Sequence, residues 1–444
     1  MKHRLTKLQI LAYSLGNFPS TAALVALGTW LMHLYAPSAD EAGAIIYVRP
    51  EVYGLVLFLV MIPAGIADPL VGYLSDRTHS KMGRRIPFIV WGLPLLVLGF
   101  IAAWFPPVQG TSWINLVFLT GTTLMFYLGF TIVVNPYFAL MPEVATEDGQ
   151  RVSISTWLAV FGSLGQVLAF MGFGLLIDKL HTGITLANIH ISDGYKIAGL
   201  LVGLLILLGF IPLIALVHET PHSSRKEVPF TFWQACKETM KNPAFLPFVG
   251  PAALTGAAMA LMQIAIVYVV KVVLGKSEDL VGYLLLGMTA AIMAFYPLAS
   301  FLGHRWTKRR LFLLSLAMLV VIFPMFMVLG LVVDQQINLV LLWVLVILLA
   351  FPVAMFTVLQ PAILADIMDH DTGLTGFQRE AMYNGMQGLI QKIGWGLAPL
   401  LQGLLFWGFG NTIERPWGIL LTGVVSSVLC LAGGIWFLRY PLNK

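Results

Sequence analysis

Two ionisable side chains stand where the sequence gives them no water. Asp68 lies in the apolar run "MIPAGIADPLVGYLS", about six residues before its polar end, and Lys392 lies about twelve residues into a second apolar run. At about 1.5 Å of rise per helical residue, those depths are roughly 9 Å and roughly 18 Å. A charge buried that far from water is costly unless it is paired, hydrated or neutralised. A carboxylate and an ammonium placed this way suit one chemistry in particular, the uptake and release of a proton or small cation. The plainer alternative is that Asp68 accepts backbone hydrogen bonds near Pro69 while Lys392 stretches along its helix toward the interface.

Neutral polar groups form a second set. Asn384, Gln387, Gln391 and Trp395 recur every three or four residues, so they share one helical face, and Lys392 borders it. Amides and an indole on one face could line a pocket that reads hydroxyl groups. Asn17, Thr21, Asn135, Tyr137, Gln166 and Gln263 lie on other apolar runs and are candidates for the same lining. Taken singly, each is equally a hydrogen-bonding link between packed helices.

A third set lies in polar connectors. Asp76, Arg77, Arg84 and Arg85 occupy "SDRTHSKMGRR"; Glu143 precedes Arg151; Asp366 and Asp369 precede Arg379 and Glu380. Opposite charges at facing helix ends could act as a cytoplasmic gate, made and broken as the protein changes state. Solvated loop charge is the alternative. The carboxylates of "DIMDHD" are too loosely spaced, and too near basic residues, to imply a metal centre. "GKS" at 275–277 lacks the preceding glycine of a phosphate loop, so no nucleotide and no cofactor is expected. Nor do acid, base and nucleophile converge, which argues against an enzyme or a membrane-bound sensor with catalytic output.

The elements that carry these residues follow from composition. Of 444 residues, 58% are hydrophobic and 11% charged, against roughly 25% charged in a soluble domain. Runs long enough to span a bilayer fall near 8–35, 52–74, 87–105, 113–141, 153–177, 195–217, 244–273, 279–302, 311–333, 338–365, 381–409 and 416–438. The expected fold is all-α and integral to the membrane, with a six-helix half at 1–217, a cytoplasmic linker at 218–243 and a second six-helix half at 244–444. Arg and Lys crowd into alternate connectors, as in Arg77 to Arg85, Arg225 to Lys241 and Arg305 to Arg310, which places both termini in the cytoplasm of a multi-pass cell-membrane protein. The net charge of +5 is then a topogenic signal, and no nucleic-acid partner is needed to explain it. The basic start continues into an apolar run without a convincing cleavage site, so it reads as an uncleaved first helix. Cys236 and Cys430 lie in different regions and imply no disulfide.

The halves repeat each other. "DPLVGYLSDR" from Asp68 aligns with "YPLASFLGHR" from Tyr296, at an offset of 228 residues; "NPYFALMPE" from Asn135 aligns with "QPAILADIM" from Gln360; and Arg151 aligns with Arg379. Parallel six-helix repeats of this kind are the architecture of the major facilitator superfamily, in which substrate binds near the midplane between halves.

"DPLVGYLSDRTHSKMGRRIP", "NPYFALMPEVATEDGQR" and "ADIMDHDTGLTGFQREAMYNGMQGLIQKIGWGLAP" resemble the glycoside-pentoside-hexuronide:cation symporters, the melibiose-permease-like branch of that superfamily. The loop after the second helix is also similar to that of sucrose/proton symporters, and the branch includes lysophospholipid symporters. The resemblance implies that Asp68 matches the second of two cation-binding acids, the first falling on Ala64. It also implies that the sugar-binding acids fall on Thr21 and Val134, the sugar-stacking aromatic on Phe138 and the lysine beside the cation on Lys392. With one acid where relatives have two, a proton is the first expectation for the coupling cation and sodium the second. The expected function is therefore cation-coupled symport of a sugar or glycoside by a monomer in the lipid bilayer. A lysophospholipid or other amphiphile is the alternative cargo.

Overall fold

The computed structural model describes residues 5–41, 43–78, 80–144, 148–180, 184–186, 189–191, 193–217, 219, 232–330, 334–375 and 380–442. Among these, twelve helices are long and apolar enough to cross a membrane. They are α1 (Lys7–Tyr35), α2 (Pro50–Ser75), α3 (Ile86–Ala103), α4 (Trp113–Met141), α5 (Ser153–Lys179), α6 (Gly194–Leu216), α7 (Leu246–Val273), α8 (Glu278–Gly303), α9 (Lys308–Leu329), α10 (Gln335–Gly373), α11 (Met382–Phe409) and α12 (Trp417–Phe437). Helices win throughout because a backbone in hydrocarbon must satisfy its own hydrogen bonds.

Three details depart from the sequence expectation. The helix of α10 runs on to Thr375, so Asp366, Asp369 and Asp371 ride on a helical extension and not on a loop. The helix of α4 likewise reaches Val144. The connector between α5 and α6 holds a small antiparallel hairpin, β1 (Ile184–Leu186) and β2 (Ile189–Ile191). The β-branched Ile184, Thr185, Ile189 and Ile191 suit that pairing. A short helix, Phe232–Met240, precedes α7.

The end of the bundle at which α1 begins and α12 finishes is the basic end, and the opposite one is the far end. At the basic end a carboxylate organises the start of α3. Glu219, just beyond α6, accepts hydrogen bonds from the backbone amides of Arg84, Arg85 (2.6 Å) and Ile86 (2.8 Å). These are the amides that a helix N-terminus leaves without partners. Gly83 makes this possible: its φ is +98°, and a Cβ there would fall 2.3 Å from the Glu219 carboxylate. Glu219→Ala is expected to lower stability by about 1–2 kcal/mol, read as a drop in the thermal unfolding midpoint of the purified protein.

The halves meet unequally. Along α2 and α11 the contact is continuous: Gly403 faces Pro50, Gly54 faces Pro399, Gly396 faces Met61, Gly65 faces Leu389, and Gly385 faces Pro69. The approach is so close that a Cβ on Gly54 would lie 2.2 Å from the Pro399 carbonyl oxygen. Small residues let membrane helices approach to backbone contact, and dispersion then holds them. Between α5 and α8, backbone-close contact is seen at the far end. There Gly282 meets Met171 and the Phe170 carbonyl, and Gly174 meets the Glu278 carbonyl. The same helical stripes continue toward the basic end through Leu164 and Val160 on α5 and Met293 on α8. These three are between 40% and 49% exposed. Beside the α5–α8 contact the bundle therefore presents an exposed apolar flank.

Candidate functional site

Asp68 and Lys392 find each other. The Lys392 ammonium lies 2.6 Å from Asp68 Oδ1, with the two side chains 8% and 4% exposed. Asp68 comes from α2 and Lys392 from α11, so the pair bridges the halves. Two further side chains converge on the same carboxylate oxygen, Thr131 Oγ1 and Asn135 Nδ2, each donating at 3.0 Å. They stand one turn apart on α4 and so share a face. The ammonium also donates to the Ala64 carbonyl at 3.2 Å and to the Thr131 hydroxyl. A buried ion pair survives desolvation only when its remaining donors and acceptors are satisfied, and these neighbours do that.

The pair also needs space on α11. A Cβ on Gly388 would fall 2.8 Å from Asp68 Oδ2, so glycine there leaves the carboxylate its position. Lys392 is thus cradled by oxygens of three kinds, carboxylate, hydroxyl and backbone carbonyl. Such a set suits a small hard cation as well as an ammonium. Thr131 and the Ala64 carbonyl were not among the residues expected from sequence. Thr131 carried a usable signal, its i, i+4 spacing to Asn135, whereas a backbone carbonyl carries none.

The polar stripe of α11 lies between two packed edges. One edge, with Gly385, Gly388, Leu389 and Gly396, lies on α2; the other, at Gly394, backs onto the Ala253 carbonyl of α7. Asn384, Gln387, Gln391 and Trp395 fall between these edges, facing the interior between the halves. Asn384 is exposed and the other three are half-buried. Trp395 sits beside Gly256 of α7.

Other expected lining residues divide. Phe138 is exposed on α4, and Thr21 and Gln166 are half-buried. Asn17 donates to the Leu158 carbonyl at 2.8 Å and so ties α1 to α5. Gln263 donates to Thr29 Oγ1 at 2.7 Å, a link between α7 and α1. Tyr137 is fully buried: its hydroxyl donates to the Tyr13 carbonyl while Tyr13 donates to the Tyr137 carbonyl, at 2.8 Å and 2.6 Å. Their stacked rings place Tyr137 in the packing between α1 and α4 and not on the cleft wall.

At the basic end, Arg77 stands 4.2 Å over the Tyr73 ring, and Arg85 donates to Ser75 Oγ at 2.6 Å. The Arg84 amide is held by Glu219, and Lys308 pairs with Asp366 at 2.6 Å. Each of these contacts joins elements of one half. Asp369 is exposed on the α10 extension. Arg379 and the side chains of Asp76, Glu143, Arg151 and Glu380 lie outside the described residues.

The far end holds a charged cluster that the sequence did not signal. Glu41 accepts from Lys271 at 3.0 Å and meets His33 Nε2 at 3.0 Å; Lys271 also pairs with Glu278, and His33 Nδ1 meets the Tyr195 hydroxyl. Nearby, the Tyr268 hydroxyl of α7 donates to the Ala36 carbonyl at 2.9 Å. Together with the α5–α8 contact, these links close the far end across both halves.

Comparison with known proteins agrees with this architecture. A family model described as MFS/sugar transport protein matches residues 12–444. Over its whole length the chain is 23% identical to a sodium-dependent lysophosphatidylcholine symporter 1 of Xenopus tropicalis, covering 89% of that protein. It is 25% identical to an uncharacterized symporter of Synechocystis, over 98% of this chain and 94% of that protein. Among solved structures, the nucleoside transporter NupG superposes with a TM-score of 0.71 at 15% identity, over 97% of this chain and 99% of that chain. A D-xylose-proton symporter superposes at 0.66 and 13% identity, over 98% and 97%.

Proposed function

The chain belongs to the MFS/sugar transport protein family, and from that premise we propose that this secondary transporter carries a single-chain amphiphile of the lysophospholipid class, coupled to sodium. The observation that carries the cargo is the pairing of an exposed apolar flank on α5 and α8 with the polar stripe of α11. A transporter of a small polar solute needs an aqueous route alone, whereas an amphiphile must keep its chain in hydrocarbon while its head enters the cleft. Leu164 and Val160 of α5 and Met293 of α8, exposed beside the α5–α8 contact, supply an apolar flank, and the amides and indole of α11 supply the polar side. The sequence similarity to a lysophosphatidylcholine symporter points the same way.

With the basic end in the cytoplasm, the arrangement is the inward-open half of an alternating-access cycle. The far end is closed by the His33–Glu41–Lys271–Glu278 cluster, and at the basic end Arg77 lies over Tyr73, Arg85 donates to Ser75 and Asp366 pairs with Lys308.

Sodium coupling rests on the oxygen cradle. A cation entering beside Asp68 displaces the Lys392 ammonium from oxygens that already converge, so the site exchanges one positive charge for another without stranding the carboxylate. Displacement loosens the α2–α11 bridge at its centre, which gives the cation leverage on the conformational equilibrium.

Proteoliposome uptake tests the reading. Lysophosphatidylcholine is expected to accumulate when a sodium gradient is imposed, and unlabelled lysophospholipid to compete while glycosides do not. Accumulation of a sugar or glycoside that lysophospholipid leaves untouched would overturn the cargo, and accumulation driven by a proton gradient alone would overturn the ion.

A further inference from the structure

The far-end cluster has the composition of a proton-sensitive latch. Its members come from five places: His33 on α1, Glu41 in the following connector, Tyr195 on α6, Lys271 at the end of α7 and Glu278 at the start of α8. His33 is 4% exposed, and Glu41, Lys271 and Glu278 are mostly buried. The groups facing His33 are Glu41 through Nε2, the Tyr195 hydroxyl through Nδ1 and the Tyr268 ring, edge-on at 5.5 Å. Beyond them stand Lys271 and Glu278, and Asp193 with its partner Lys196 at the head of α6.

Two carboxylates and one ammonium leave the inner group with one uncompensated negative charge. A protonated imidazole at His33 removes it, and a neutral one restores it in a place shielded from water. We infer that His33 is the titrating member of a latch that holds the far end shut, its protonation favouring closure and its deprotonation favouring opening. The inference rests on the transport reading above and adds a positioning residue to it: His33 touches neither cargo nor coupling cation.

Three observations support the assignment. An imidazole ordinarily changes charge between about pH 5 and about pH 8, a range in which lysine, glutamate and tyrosine ordinarily do not. Burial pushes the Glu41 carboxyl up, but His33 and Lys271 outweigh it and hold it low, so Glu41 is the negative charge that a protonated His33 faces. Lys271 lies in a π-helical turn, Val269–Val273, and α5 carries a second such turn, Leu168–Gly172, where it meets α8. Local π turns are places where a helix accommodates a change in register, and both sit at the closure.

The test measures distance and needs no cargo. Spin labels at Gln109→Cys and Glu414→Cys, exposed positions on far-end connectors of opposite halves, report separation by pulsed electron spin resonance in the full-length protein. Cys236→Ser and Cys430→Ala remove the native thiols. As pH rises from about 5 to about 8, the ratio of closed to open populations is expected to fall by up to about tenfold per unit of difference between the two states' proton affinities. His33→Gln keeps hydrogen-bonding groups without the charge change and is expected to flatten that dependence. Glu41→Gln cancels the uncompensated charge without a proton and is likewise expected to flatten the dependence, with the closed population favoured across the range. An unchanged pH dependence in His33→Gln, or a separation in the parent that ignores pH, would overturn the latch. Because neither cargo nor sodium is present, that failure would leave the transport reading standing. Absence of lysophospholipid uptake, in turn, would leave the distance result intact.

Discussion

Asp68→Asn is expected to abolish sodium-driven accumulation of substrate while exchange of internal for external substrate continues. Asparagine keeps the shape of the side chain and an oxygen for Thr131 and Asn135, so the packing of α2 on α11 is largely preserved. What it removes is the negative charge that makes a cation worth binding. A coupling free energy of about 1–3 kcal/mol corresponds to a change in substrate affinity of about 5- to 150-fold on adding the cation. In the variant, substrate affinity measured with and without sodium is expected to coincide. Retained accumulation against a gradient would remove Asp68 from the coupling step.

Lys392→Met carries the second large effect, this time on stability. Removing one partner of a buried, hydrogen-bonded ion pair strands the other charge, at a cost of about 3–5 kcal/mol. Here the stranded group is Asp68, its side chain 4% exposed between α2, α4 and α11. The double variant Asp68→Asn/Lys392→Met replaces the pair with neutral groups of similar size and is expected to recover most of the loss. Thermal unfolding of the parent, both single variants and the double variant separates the cases, because only a direct interaction makes the two changes strongly non-additive. Sodium adds a further distinction. On the proposed coupling the vacated oxygens of Lys392→Met are open to it, so added sodium is expected to raise that variant's unfolding temperature more than the parent's. Equal, additive losses in the two single variants would contradict the pairing.

The large features were legible because the bilayer makes them so. Twelve apolar runs become twelve helices among the described residues, and the Asp68/Tyr296 repeat marks the two halves, since a membrane leaves the backbone few other choices. Asp68 and Lys392 stood out for a related reason, that charge is rare where water is absent. Their pairing needed the assumption that the second and eleventh helices face each other, which the packed glycines along both helices bear out.

Other features depended on information a linear pattern does not hold. The Ala64 carbonyl offers no side chain to notice, and Thr131 looked like any hydroxyl on an apolar helix. Their presence changes the balance between a proton and sodium: one carboxylate alone is a poor sodium site, but one carboxylate with a hydroxyl and a carbonyl is a better one. Tyr137 showed the opposite error. A tyrosine on a polar helix end resembles a ligand contact, yet its hydroxyl is used in helix packing with Tyr13. The far-end cluster escaped because His33, Glu41, Lys271 and Glu278 are ordinary residues near helix ends until the two halves close over them. Asp366 and Asp369 appeared to lie on a loop because falling hydropathy marks the membrane boundary, and a helix need not stop there.

The central claim is that sodium and the Lys392 ammonium compete for the oxygens around Asp68, and direct binding of radiolabelled sodium to the purified protein tests it without any assumption about cargo. Saturable binding that is lost in Asp68→Asn and tightened in Lys392→Met is the expected result. Sodium binding that survives Asp68→Asn, or that weakens when Lys392 is removed, would contradict the account.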